Sequence, residues 1–189
     1  MRILRRADYR RMPWKNGGGL TEEIAVHPPG ADMDGFDWRL SIAHVDTDGP
    51  FSRFPGIDRS IAVLSGGGMG LSVEGGDEVA LLEAAAPFAF DGGSAVVSRL
   101  FAGPTVDLNI MTRRGRLTHW MQRIVLPVDS EIAGAEAGTL LVATAPFGVM
   151  VGGETTAVTA FDTVQVDAGE RLGVVSEAAV IRIDLAPVR

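Results

Sequence analysis

The segment 13–22 carries residue types that suit the binding of a small anion. Lys15 can neutralise an anion, Asn16 offers both hydrogen-bond donors and acceptors, and Trp14 supplies an aromatic wall. Gly17 opens a run of three glycines, which lets the backbone adopt positive φ and come close to a bound group. The same pattern is also typical of a sharp turn that enters a strand at residues 21–26. The segment alone leaves both interpretations open.

A second segment, residues 51–60, combines aromatic rings with a cation around a Pro-Gly turn. Phe54 can form an apolar wall, and Arg59 can bind a carboxylate with two parallel hydrogen bonds. The alternative is an internal salt bridge from Arg59 to Asp58 or Asp48.

Two predicted strands each carry a short polar face. Because side chains alternate along a strand, Arg39 shares a face with Ser41, and Asp107 shares a face with Asn109. Such faces either meet water or line the inside of a barrel, and the sequence does not decide between them. If Arg39 is buried, it needs an anionic partner, for which Asp107 and Glu23 are candidates.

Several kinds of chemistry have no signature in the chain. There is no cysteine, and the three histidines, His27, His44 and His119, do not form a metal-ligand spacing. Neither a nucleophile elbow nor a phosphate-binding loop followed by a helix occurs. We therefore expect no metal, no cofactor and no catalytic nucleophile.

The pattern of short apolar runs separated by glycine turns predicts an all-β fold. No run shows sustained helical periodicity, which leaves room for a short helix only near 7–12 or 130–137. The strands form two sets of similar shape, which suggests two antiparallel sandwiches or barrels. The predicted strands are 21–26, 38–45, 60–64, 69–73, 79–82, 95–100, 106–111, 115–124, 139–143, 148–151, 155–158, 163–166, 171–175 and 179–185.

Composition and charge both change after residue 126. Residues 1–126 are nearly neutral, whereas residues 127–189 carry nine acidic and only three basic side chains. This predicts a first domain over 1–126, with the ligand pocket, and a shorter second domain over 127–189, and it leaves open an exchange of strands between the two. The acidic C-terminal part argues against nucleic-acid binding. With no membrane-length apolar run and no secretory signal, we expect a cytoplasmic protein.

Five segments together resemble the HutD/Ves family. They cover roughly residues 8–116, and the similarity is weaker over the C-terminal third. The segments are MPWKNGGGLT at 12–21, FDWRLSIA at 36–43, DGPFSRFPGIDR at 48–59, FDG at 90–92 and DLNIMTRRG at 107–115.

The resemblance implies a bicupin, that is, two antiparallel β-barrel or jelly-roll units of the cupin type in one chain. It also implies a link to histidine utilisation, whose intermediates include urocanate, formiminoglutamate and formylglutamate. Metal-binding cupins carry histidines and a glutamate on their barrel strands, but residues 54–59 contain neither type. This departure favours a metal-free pocket and disfavours dioxygenase-type chemistry.

If the polar strands belong to a barrel, the candidate side chains converge on a cationic pocket. The expected ligand-binding residues are Trp14, Lys15, Asn16, Gly17, Arg39, Ser41, Phe54, Arg59, Asp107 and Asn109. Such a pocket suits a small anion such as formylglutamate or formiminoglutamate, and binding would modulate histidine utilisation. The alternatives are a metal-independent enzyme with Asp107 as acid or base, and a structural protein whose pocket is filled by side chains. Sheet edges could also pair two copies in a homodimer.

Overall fold

The computed structural model describes residues 1–189 and is built almost entirely of β-strands. The single helical element is the 3-10 turn Arg6–Asp8, and no helix is long and apolar enough to cross a membrane. The all-β prediction is confirmed. The strands are β1 Arg2–Leu4, β2 Arg10–Pro13, β3 Gly19–His27, β4 Trp38–Val45, β5 Gly49–Pro50, β6 Ile57–Gly66, β7 Met69–Val73, β8 Val79–Leu81, β9 Phe88–Asp91, β10 Val96–Leu100, β11 Thr105–Arg113, β12 Leu117–Leu126, β13 Glu131–Ala133, β14 Thr139–Ala143, β15 Phe147–Val151, β16 Glu154–Val158, β17 Thr163–Val166, β18 Arg171–Val174 and β19 Ala178–Pro187.

One compact unit comprises residues 10–116. Its larger sheet has the strand order β2-β3-β4-β11-β6-β9, and its smaller sheet has the order β5-β10-β7-β8. Every strand pair in both sheets is antiparallel. Apolar side chains from both sheets, including Val45, Ile61, Val63, Met69 and Leu71, form a shared core. The unit is therefore a two-sheet sandwich held together by burial of apolar surface.

The other compact unit comprises residues 1–9 and 117–189. Its sheets have the orders β1-β17-β14-β19-β12 and β13-β18-β15-β16, and they also share an apolar core. At the N-terminal end, the Tyr9 hydroxyl donates to the Phe161 carbonyl, and the Arg5 guanidinium pairs with Asp162 at 2.8 Å. These contacts attach the first residues of the chain to this unit.

The division of the chain differs from the one expected after residue 126. Strand β12 pairs along its whole length with β19, from Leu117 opposite Pro187 to Leu126 opposite Ala178. The composition changes at residue 127, but this hydrogen-bonded ladder starts ten residues earlier. In addition, all four sheets are open, so each unit is a pair of sheets rather than a closed barrel.

Most strand positions match the sequence pattern, because alternating apolar residues between glycine turns leave little choice of register. The helix considered near residues 130–137 is wrong, since Glu131–Ala133 pairs with Arg171–Gly173 as a strand. A short apolar run cannot be assigned to helix or strand by periodicity alone.

The glycine run before β3 makes a tight turn that fixes Trp14. The Gly17 amide donates to the Trp14 carbonyl, and the Trp14 amide donates to the Gly19 carbonyl. A Cβ on Gly19 would lie 2.2 Å from the His44 carbonyl oxygen and 3.0 Å from the indole ring. Gly19 is therefore required because the backbone of β4 and the ring of Trp14 occupy the space of a side chain.

Replacing Gly19 with alanine should destabilise the protein by about 2–3 kcal/mol, because the added methyl group must displace backbone atoms. Gly49→Ala is the matched control, since a Cβ there meets nothing within 4 Å. Chemical denaturation of both variants measures the difference. Equal stability of the two would contradict the packing role assigned to Gly19.

Candidate functional site

A cavity of about 610 Å³ lies within residues 10–116. Nine of the ten residues predicted from the sequence line it: Trp14, Lys15, Asn16, Arg39, Ser41, Phe54, Arg59, Asp107 and Asn109. Gly17, the tenth, does not line the cavity; its φ of +71° serves the turn that precedes β3. The role of Gly17 in ligand binding stays a prediction.

Strand register explains why these polar side chains meet. In the larger sheet, Met111 of β11 lies between Arg39 of β4 and Arg59 of β6. One row further, Asn109 lies opposite Ser41. Residues of one row point to the same side of a sheet, and this side also carries the apolar core shared with the smaller sheet. The polar faces thus point inward, which settles the question that the sequence left open.

Arg59 is a buried cation without a carboxylate partner. Its Nε donates to Asn109 Oδ1 and one of its terminal nitrogens to the Ser52 carbonyl, both at 3.3 Å. Its guanidinium lies 5.0–5.5 Å from the ring centroids of three phenylalanines, Phe51, Phe54 and Phe90. Burial lowers the pKa of Arg59 to about 10, which leaves the group charged at neutral pH.

The internal salt bridges considered for Arg59 do not form. Asp58 pairs instead with Arg114 at 2.6 Å, and Asp48 accepts the backbone amide of Leu100. Asp58 directly precedes Arg59 in β6, so the two side chains point to opposite faces of the strand. Arg59 therefore remains available to an anion in the cavity.

Arg39, by contrast, has an ionic partner within the chain. Its Nε donates to Glu23 Oε2 at 2.7 Å, and a terminal nitrogen reaches Ser41 Oγ at 3.5 Å. Glu23 lies opposite Ser41 in β3, next to a β-bulge. Of the two partners considered from the sequence, Glu23 is confirmed. Arg39 thus adds positive charge to the cavity wall, although Glu23 neutralises part of it.

Asp107 is the second buried ionisable group of the cavity, and only the charge of Arg59 offsets part of the cost of its burial. Its side chain is 2% exposed, and Oδ2 has no hydrogen-bond partner. Its neighbours across the sheet are Ala43 and Val63, whose side chains cannot donate a hydrogen bond. Burial raises the pKa of Asp107 to about 7, and the charge of Arg59 opposes part of that rise.

The remaining predicted residues form the rim. Lys15 is exposed and makes no ion pair, so its charge is free to meet an anion at the mouth. The Asn16 Oδ1 accepts the Gly18 amide at 3.0 Å, which braces the turn. The Trp14 Nε1 donates to Thr21 Oγ1 at 2.8 Å, which fixes the indole ring against strand β3.

Some contributors were missed by the sequence reasoning. Phe90 reaches Arg59 because β9 pairs with β6, and Met111 separates the two arginines because β11 lies between their strands. Both effects depend on pairing between distant segments. Phe51 was visible beside Phe54 in the second segment. No group of three or more His, Asp or Glu side chains with metal-binding geometry occurs anywhere in the chain.

The fold is similar to that of cupin-like proteins. A cupin 2 conserved barrel domain protein from Leptotrichia buccalis superposes with a TM-score of 0.64 at 8% identity, over 94% of this chain and 96% of that chain. Protein Ylba from E. coli superposes with a TM-score of 0.73 at 11% identity, over 98% and 90%. At such low identity these similarities show the fold alone.

The sequence profile of HutD matches residues 6–181, so the chain belongs to the HutD family. HutD from Pseudomonas fluorescens SBW25 has 37% identity and a TM-score of 0.83, over 100% of this chain and 99% of that chain. A conserved protein of unknown function from Pseudomonas aeruginosa PAO1 has 37% identity and a TM-score of 0.86, over 97% of each chain. The resemblance found in the sequence is confirmed.

The names of two further relatives refer to hutC and to Ves. An uncharacterised 21.2 kDa protein in the hutC 3' region of Pseudomonas putida is 50% identical over 111 residues, which cover 59% of this chain and 57% of that protein. Protein Ves from Citrobacter koseri is 46% identical over 114 residues, 58% of each. The chain thus spans somewhat more than half the length of the curated relatives that it matches.

The burial of Asp107 predicts a stability that depends on pH. Between about pH 4 and 7 the folded protein retains a proton that the unfolded chain releases, so this carboxyl lowers the stability as the pH rises. The difference in free energy of unfolding between Asp107→Leu and the original protein should therefore shift by a few kcal/mol in favour of the variant from pH 5 to pH 8. Each pKa unit corresponds to about 1.4 kcal/mol.

Denaturant unfolding of both proteins at the two pH values measures this gain. Asp46→Leu serves as the control, since Asp46 is exposed. If the two proteins differ in free energy of unfolding by the same amount at both pH values, the raised pKa of Asp107 is contradicted.

Proposed function

We propose that this protein binds a small dicarboxylate anion in the cavity of residues 10–116. The observation that carries the proposal is Arg59, a buried guanidinium on the cavity wall that donates hydrogen bonds only to neutral acceptors and packs among aromatic rings. A buried cation without an ionic partner is costly, and a bound carboxylate would supply the missing negative charge. Three aromatic rings hold the guanidinium in place without neutralising it.

The other charges of the cavity favour an anion with more than one carboxylate. Lys15 at the rim and Arg39 on the wall add two further cations, and only Arg39 is paired with an acid. The volume of about 610 Å³ falls within the range of small-molecule pockets. A cavity of this volume also argues against a purely structural role, because large side chains would then fill the space.

The family suggests which anions to test. Membership of the HutD family and the relative in the hutC 3' region support an association with histidine utilisation. Formylglutamate and formiminoglutamate, two acidic intermediates of that pathway, match the charge of the cavity. We propose that binding of one of them modulates the flux of histidine degradation. The bicupin architecture belongs to the same proposal, with each two-sheet unit corresponding to one cupin unit.

Isothermal titration calorimetry with formylglutamate and formiminoglutamate tests the binding role. Replacing Arg59 with methionine should weaken binding by about 2–4 kcal/mol, the cost of removing one member of a buried charge pair. Arg53→Met is the matched control, because Arg53 is exposed and does not line the cavity. If neither compound binds to the folded protein, the ligand assignment is refuted.

Arg39 separates a binding role from a structural role. Arg39→Met leaves the half-buried Glu23 with only the exposed Arg10 at 4.0 Å, so we expect a lower melting temperature as well as weaker binding. Arg59→Met removes no ion pair and should change the melting temperature less. The reverse order of melting temperatures would contradict the charge pairing described here.

An enzymatic role is the second candidate, and Asp107 is the observation that favours it. A carboxyl with a pKa of about 7 inside a cavity can both give and take a proton at neutral pH. Arg39 or Lys15 would then stabilise charge that develops on the substrate. NMR spectra of formylglutamate or formiminoglutamate, incubated with purified protein, would reveal turnover. Unchanged spectra after incubation with saturating protein would leave binding as the function.

A further inference from the structure

The unpartnered oxygen of Asp107 indicates what else a ligand must carry. Oδ2 has almost no accessible surface and no hydrogen-bond partner, yet Asp107 lines the cavity. Four other side-chain oxygens of the wall each already accept a hydrogen bond from within the chain; they belong to Asn16, Thr21, Ser41 and Asn109. Asp107 is thus the buried acceptor that the fold leaves for a ligand.

We propose that Asp107 accepts a hydrogen bond from an N–H group of the ligand and so selects N-substituted amino dicarboxylates over dicarboxylates without an N–H group. The inference rests on the proposed binding function of the same cavity and adds the feature that the ligand must carry. A buried acceptor without a partner is costly, so a ligand that supplies the donor gains affinity.

The register of the sheet sets the positions of the two contacts. Asp107 lies four residues before Met111 in β11, and Met111 lies opposite Arg59. At about 3.4 Å per residue, the two rows are roughly 13 Å apart along the strand, and the long side chain of Arg59 crosses part of this distance. A ligand that contacts both groups therefore has a carboxylate at one end and the N–H group several ångströms away.

The charges of Arg59 and Asp107 favour the same orientation of the ligand. Arg59 is the cation that requires an anion, whereas Asp107 is the acid that requires a donor. A ligand with carboxylates alone would place a negative group against Asp107. An amide N–H avoids that repulsion, and a protonated amidine replaces it with attraction.

A graded series of ligands tests the proposal by calorimetry at pH 8, where Asp107 is mostly ionised. The compounds are N-formimidoylglutamate, N-formylglutamate and 2-formyloxyglutarate, an ester in which oxygen replaces the N–H group. We expect affinity to decrease in that order, with N-formylglutamate binding at least about tenfold more tightly than the ester. Freshly prepared ester and short titrations avoid its hydrolysis.

Two variants show whether Asp107 is the source of the preference. Asp107→Leu fits among the apolar neighbours Ala43 and Val63 and should reduce the preference for the amide over the ester to less than about twofold. Asp107→Asn retains an acceptor oxygen and should keep a severalfold preference. Restoration by asparagine would distinguish acceptance of a hydrogen bond from a purely electrostatic effect.

The outcomes separate this inference from the function on which it rests. Equal binding of amide and ester by the original protein, or an undiminished preference in Asp107→Leu, would overturn the role of Asp107 and leave anion binding intact. Binding of none of the three compounds would overturn both. The expected order, abolished by leucine and retained by asparagine, would support the assignment.

Discussion

The structure of the site depends on how three charged side chains are buried on the inner face of one sheet. Burial of a charge is costly unless a partner compensates it. Arg39 has Glu23 at 2.7 Å, Arg59 has only aromatic rings and neutral acceptors, and Asp107 has no partner for Oδ2. The fold therefore leaves one buried cation and one buried acid that offset each other's charge only in part and are not joined by a hydrogen bond.

The surrounding elements maintain this arrangement. Strand β11 lies between β4 and β6, so that one register positions both arginines and the aspartate. The same sheet face continues into the apolar core with Val45 and Val63, so the polar rows lie beside closely packed apolar side chains. At the rim, the turn formed by residues 17–19 holds Trp14 against strand β3. The cavity is thus largely formed by the fold before any ligand binds.

Much of this could be predicted from the sequence because the relevant signals are local. Alternation placed Arg39 with Ser41 and Asp107 with Asn109, and glycine turns separated the strands. The pairing of Asp58 with Arg114, and the position of Phe90 beside Arg59, depend on contacts between distant segments that no local pattern encodes. The sequence did not show that Gly17 lies outside the cavity lining, because a positive φ serves a turn as well as a close approach to a ligand.

The most direct test of the central claim is a crystal structure of the protein grown with formylglutamate. We predict electron density in the cavity of residues 10–116, with a ligand carboxylate within hydrogen-bond distance of the Arg59 guanidinium. The Arg59 side chain should keep its position between the phenylalanine rings. A cavity that contains only water at saturating ligand concentration, or a ligand bound away from Arg59, would contradict the account.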